Sequence, residues 1–209
     1  MFERKIVEEI LRLGAISPAR LQILIGPRQV GKTTAAKQAA ARSGWPSHYA
    51  SADESLPPGP EWIESQWNMA LRQTIESDSP VWLILDEIQK VRGWSEEIKR
   101  LWDTDTSGKI KPLLLGSSAL LLQKGLSESL AGRFFLHRCG HWTWPEMRTA
   151  FGWDLDTWLY FGGYPGAANY ISDPALWLRY VNDSLIETTL SRDVLQMETV
   201  AKPALLRHL

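Results

Sequence analysis

The chain has 209 residues, 44% of them hydrophobic and 22% charged, which suits one globular domain with an appendage and excludes a disordered or fibrous chain. Its 23 basic and 24 acidic side chains leave a net charge of −1, so no bulk charge points to nucleic acid or to an anionic membrane. A lone cysteine, Cys139, excludes an internal disulfide and reads as a core or near-core thiol. No apolar run approaches the ~18 residues of a membrane span, and the charged, amphipathic N-terminus is no signal peptide. A cytoplasmic location without a membrane partner is the expectation. The eleven tryptophans are scattered without period or basic interleaving, which reads as packing rather than as a base-stacking platform.

In chain order, residues 3–13 predict a helix with Ile6, Ile10 and Leu13 on one face, ended by Gly14. A strand follows at 21–25, then a glycine-rich turn, then a helix that stops by Ser43-Gly44. A short strand is expected at 48–51, and Pro57-Pro58-Gly59-Pro60 breaks the chain before a helix over 61–77. Trp62, Trp67, Leu71 and Ile75 are its candidate buried positions. Residues 81–85 form a continuous apolar run of the kind that suits a central parallel strand. A helix over 94–102, a buried strand at 112–115, a helix over 119–130 and a last strand at 134–137 complete the pattern. Strands alternating with helices predict a mostly parallel sheet with right-handed crossovers. Ligands of such sheets bind beyond the carboxyl ends of the strands.

After about 145 the texture changes. Residues 154–160 read as a helix, Gly162-Gly163-Tyr164-Pro165-Gly166 as a turn, and 174–197 as a long helix. The last stretch, 203–209, looks like the start of another helix and stops without a cap, so a truncated C-terminal region is expected. The expected organisation is a core over 1–150 and a helical extension over 151–209.

The glycine-rich turn is Gly26-Pro27-Arg28-Gln29-Val30-Gly31-Lys32-Thr33-Thr34, which matches the phosphate-binding pattern G-x-x-x-x-G-K-[ST]. The pattern follows a strand and opens a helix, as its chemistry requires. Gly26 and Gly31 let the backbone turn and approach an anion, and the loop N–H groups and the helix end supply positive potential. Lys32 would meet the β- and γ-phosphates, the Thr33 hydroxyl would ligate Mg²⁺, and Arg28 is a further candidate for phosphate contact. Asp86 ends the apolar strand, where it would hold Mg²⁺ directly or through water. Glu87 would then act on the attacking water as base or orienter. Ser117, past the strand at 111–115, is a candidate either for γ-phosphate or water contact or for capping the next helix. Arg133 is a candidate arginine finger toward a neighbouring subunit, with a surface ion pair as the alternative.

The segments 26–34, Leu85-Asp86-Glu87-Ile88-Gln89, Gly116-Ser117-Ser118, Ser129-Leu130-Ala131-Gly132-Arg133, Pro145-Glu146-Met147 and 162–165 occur in this order. Their succession resembles the prokaryotic AAA-type ATPases of the AAA+ superfamily that carry a C-terminal domain of unknown function. The resemblance implies an α/β P-loop NTPase fold with a five-stranded parallel sheet in the order 5-1-4-3-2. It also implies nucleotide and metal at Lys32 and Thr33, the second acidic motif at Asp86 and Glu87, and Ser117 near the first sensor position. A winged-helix-like C-terminal region, often supposed to touch DNA, goes with the family, and Arg192-Asp193 resembles the family's Arg-Asp pair. This chain stops where that region should begin, so DNA binding is not carried over.

The functional expectation is Mg²⁺-dependent binding and hydrolysis of ATP that drives a conformational change, with homo-oligomer formation through Arg133. A nucleotide-gated or DNA-associated module with little turnover is the alternative, its DNA or protein partner engaged through the missing region. No Asn-Lys-x-Asp segment supports GTP, and no arginine-rich lid supports a nucleotide kinase.

Overall fold

Runs that are apolar on both faces are stable only between two covering layers, and two of them build the middle of this molecule. In the computed structural model, which describes residues 2–54, 56–117 and 129–189, Leu21–Ile25 (β1) and Val81–Asp86 (β3) are buried at every position. Ile110–Gly116 (β4) lies between them, Ser47–Ser51 (β2) flanks β3, and Phe134–Arg138 (β5) flanks β1. All four pairings are parallel, in the order β2-β3-β4-β1-β5. This is the expected order 5-1-4-3-2 read from its other edge. Only the edge strands β2 and β5 show exposed positions, as strands with one unpaired side do.

The crossovers are helical: Lys32–Ser43 (α2), Pro60–Ser77 (α3) and Trp94–Thr104 (α4), with Lys5–Gly14 (α1) before the sheet. Helix α2 buries Ala35, Ala36, Ala39 and Ala40, a stripe of small side chains at helical spacing. The expected helix over 119–130 lies largely outside the described residues.

By contacts the chain divides into two compact units. The first holds Glu3–Gly26 and Gly31–Cys139, and therefore the whole sheet; the second holds Pro27–Val30 with Gly140 onward. In the second unit Trp144–Phe151 (α5), Leu155–Phe161 (α6) and Pro174–Tyr180 (α7) are short and capped by side chains. Glu146 accepts the Thr143 N–H at 2.8 Å, Asp154 accepts that of Thr157 at 2.8 Å, and Asp173 accepts those of Ala175 and Leu176 at 3.1 Å each. Met147, Trp153, Ala167 and Leu185 are buried there. The helix expected from 174 passes through a π-helical turn, Val181–Ile186, before Glu187–Thr189 (α8), and its remainder lies outside the described residues.

Two expectations of burial need correction. Helix α1 buries Val7, Ile10 and Leu13, while Ile6 is only half-buried. Ile75 of α3 is exposed, and Thr74 takes the inward position because its hydroxyl bonds the Leu71 carbonyl at 2.7 Å. Cys139 is buried, as expected of a core thiol.

One polar residue sits inside the apolar run of β1. Gln22 is buried, its amide donates to the Ile10 carbonyl at 3.2 Å, and its oxygen meets His137 Nε2 of β5 at 2.7 Å. The contact to a carbonyl-type oxygen sets the proton on Nε2. Nδ1 is then buried without a hydrogen bond, 3.6 Å from Glu9 Oε1. Burial holds the His137 pKa below its ordinary value despite the raising influence of Glu9. The unfolded chain therefore takes up the proton first on acidification, and stability is lost as the pH falls below about 6.5. We expect the unfolding free energy to drop by at most about 1.4 kcal/mol per pH unit from this group as the pH falls below about 6.5. Denaturant titrations of the parent and of His137→Gln across that window check it: the variant loses this part of the slope.

Candidate functional site

The register of the sheet brings four strand ends to one edge. Ile25 of β1 pairs with Gly116 of β4, Leu85 of β3 with Leu114 of β4, and Ser51 of β2 with Asp86 of β3. The residues leaving these strands then stand on the same side: Gly26 after β1, Glu87 after β3 and Ser117 after β4. Because β4 separates β1 from β3, α2 and the end of β3 meet across it. Thr33 Oγ1 donates to Asp86 Oδ2 at 2.6 Å, a short bond of the charge-assisted kind.

The two glycines serve different purposes. Gly31 has φ +92°, a conformation that side-chain-bearing residues rarely adopt, and it precedes the first turn of α2. Gly26 is required by a close approach instead: a Cβ there would strike the backbone carbonyl of Cys139. Lys32 is buried, and its ammonium donates to the Gly26 carbonyl at 2.9 Å, across the mouth of its own loop. Thr34, next on the helix, is exposed. Between the glycines, Gln29 is in the left-handed region with φ +61°. In the second unit its carboxamide oxygen accepts from the Tyr180 hydroxyl at 2.7 Å and its nitrogen donates to the Ser184 carbonyl at 3.1 Å. The Val30 carbonyl accepts from Trp142 Nε1 at 2.9 Å. Pro27 and Arg28 belong to that unit as well.

Asp86 is buried and uses both carboxylate oxygens. Oδ1 accepts the Glu87 N–H at 2.9 Å, while Oδ2 takes the Thr33 hydroxyl and, at 3.2 Å, that of Tyr49. Burial, and then the Asp86 charge, push the Tyr49 phenol above its ordinary pKa, so Tyr49 keeps its proton at neutral pH and stays a donor. Lys37 sits 4.2 Å over the Tyr49 ring. Glu87 has φ +52°, and a non-glycine residue in this region costs roughly 1–2 kcal/mol. The Asp86 carboxylate compensates by receiving its N–H. Glu87 Oε2 accepts from Ser117 Oγ at 3.0 Å and from Gln89 Nε2, which also reaches Ser117 Oγ at 3.3 Å.

The first unit thus brings together Lys32, Thr33, Asp86, Glu87 and Ser117. Arg133 stands elsewhere. Its carbonyl bonds the Leu21 N–H at the amino end of β1, and its guanidinium pairs with Asp103, Nε to Oδ1 at 3.1 Å and Nη2 to Oδ2 at 3.3 Å. It is at the opposite end of the sheet from Asp86. Sequence reasoning missed Tyr49 and assigned nothing to Gln89. The signal for Tyr49 was its place two residues before the end of a strand beside β3; for Gln89 it was membership in the 85–89 segment.

Residues 19–147 match the family model described as an AAA domain. The chain belongs to this family. Membership places it among AAA-type P-loop ATPases; AAA proteins bind nucleotide and often oligomerise. Among solved structures it is similar to PCH-2 of C. elegans, at 16% identity over 66% of this chain and 42% of that one, with a TM-score of 0.44. The chain thus spans less than half the length of that protein. No curated protein matches it. Among the described residues no helix is long and apolar enough to cross a membrane.

Thr33 Oγ1 and Asp86 Oδ2 are two hard oxygen donors on one spot, the donor set that suits Mg²⁺. That ion characteristically takes one or two protein oxygens and completes its shell with waters and substrate phosphates. Two protein oxygens of this kind fit an ion brought in with a polyphosphate. ATP should accordingly bind more tightly with Mg²⁺ than with EDTA. Asp86→Asn should remove that difference while leaving EDTA-state affinity unchanged, as calorimetric titration of both proteins would read.

Proposed function

We propose that the chain binds Mg²⁺–ATP at this edge of the sheet and hydrolyses it, the cycle driving a change of conformation. The observation that carries the reading is the Thr33–Asp86 contact across β4, with Lys32 and Glu87 adjoining the two residues in the chain. The loop N–H groups and Lys32 would hold the phosphates, with Arg28 as a further contact. Thr33 and Asp86 would hold Mg²⁺, directly or through water; when bound it neutralises charge on the phosphate oxygens. Glu87 would orient the attacking water and accept its proton. The new bond joins the water oxygen to the γ-phosphorus, and the bond to the bridging oxygen breaks to give ADP and phosphate. Transition states of this kind are loose, so positioning and charge compensation supply most of the rate.

Arg133 cannot serve its own chain's site from the far end of the sheet. Its role in this reading is toward the site of a neighbouring copy, after release from Asp103.

Lys32→Ala and Glu87→Gln should each lower ATP turnover by about 100-fold or more, and only Glu87→Gln should retain bound ATP. A Lys32→Ala protein that hydrolyses ATP like the parent contradicts the reading. Turnover per chain should rise with protein concentration, and Arg133→Ala should abolish that rise. Turnover independent of concentration and of Arg133 removes the finger from the account.

A further inference from the structure

Resting on the ATPase reading, we infer that Gln89 is a positioning residue: its carboxamide fixes the Glu87 carboxylate so that one oxygen, Oε1, is presented to the attacking water. The proton accounting of the Glu87–Gln89–Ser117 group is complete. One amide proton of Gln89 goes to Glu87 Oε2, the other to Ser117 Oγ, and the Ser117 proton goes to Glu87 Oε2. Two donors therefore converge on one carboxylate oxygen. A carboxylate held by a single bond turns about its last torsion; two donors on Oε2 stop that rotation. Among the described residues nothing donates to Glu87 Oε1.

The reverse setting of the amide is disfavoured, because it would bring the Gln89 carbonyl oxygen against the carboxylate. The setting adopted has its own cost. Gln89 Oε1 is buried and has no hydrogen-bond partner among the described residues, and a buried orphan acceptor is unfavourable. An apolar side chain would avoid that cost, so the amide is explained by what its nitrogen holds. Its backbone supports the same end: Gln89 lies in the 3-10 turn Ile88–Lys90, which begins directly after the left-handed Glu87 and is anchored by buried Ile88. The carboxylate and the amide that holds it are therefore set by one tight turn, while Ser117 comes from β4.

The test is steady-state ATP turnover and nucleotide affinity for the parent, Gln89→Ala, Gln89→Glu, Glu87→Gln and the Glu87→Gln/Gln89→Ala double variant. Gln89→Ala should lose roughly tenfold to a hundredfold in kcat, as misplaced catalytic groups do, with KM and Mg²⁺–ATP affinity unchanged. In the Glu87→Gln background the same change should have no further effect, because Gln89 acts through Glu87. Gln89→Glu sets a second carboxylate beside the first, so the acid limb of its kcat–pH profile should move upward by about one pH unit or more. A purely structural role would move neither the profile nor the cycle in this way. Parent-like or raised kcat in Gln89→Ala beside an inactive Glu87→Gln overturns this inference alone, as does an equal loss in both backgrounds. A parent that binds Mg²⁺–ATP without turning it over overturns the ATPase reading and this inference together.

Discussion

The arrangement depends on one short hydrogen bond between residues 53 positions apart, from Thr33 Oγ1 to Asp86 Oδ2. It exists only because β1 and β3 run parallel with β4 between them, so that the start of α2 and the end of β3 face each other. Reverse β1 or β3 and the hydroxyl and the carboxylate lie at opposite ends of the sheet. The apolar runs that force β1 and β3 into the interior are thus also what aim the polar residues at their ends. The core specifies the site through direction as well as through stability.

Gly31 and Glu87 at this edge have positive φ, as does Gln29 in the second unit, and at Gln29 and Glu87 the conformation is occupied by residues with side chains. Each is held by specific partners: Glu87 by the Asp86 carboxylate, Gln29 by Tyr180 and Ser184. Unfavourable local geometry persists only where the surroundings over-determine it, and such places cluster at functional sites. Buried polar groups tell the same story. Gln22 and His137 pair inside the sheet and leave His137 Nδ1 without a hydrogen bond, and Gln89 keeps an orphan oxygen beside a carboxylate.

Much of this was legible in the sequence. The strands and their parallel direction follow from apolar run length and from alternation with helices. The site followed from residues at strand ends. The strand order came from a family resemblance, because pairing partners leave no local trace in composition. What periodicity misjudged were close choices on amphipathic helices: Val7 against Ile6, and Thr74 against Ile75. A threonine whose hydroxyl folds onto its own helix passes for apolar, and hydrophobic spacing cannot register that. Tyr49 was hidden because its role depends on the neighbour strand, known only once β2 pairs with β3. Gln89 stood out only as part of a segment, but its value lies in which two oxygens its nitrogen reaches. Gly26 was credited to the turn and the anion, when the Cys139 carbonyl beside it is what forbids a side chain.

The central claim is that Thr33 and Asp86 grip one metal ion that arrives with a triphosphate. A crystal structure of the chain with Mn²⁺ and a non-hydrolysable ATP analogue tests it directly through the anomalous signal of the metal. The account predicts a single strong peak within roughly 2.0–2.3 Å of Thr33 Oγ1, with Asp86 bound to it directly or through one water, and the γ-phosphate between the Lys32 ammonium and Glu87. A metal peak away from both residues, or a nucleotide seated at the amino ends of the strands, would contradict it.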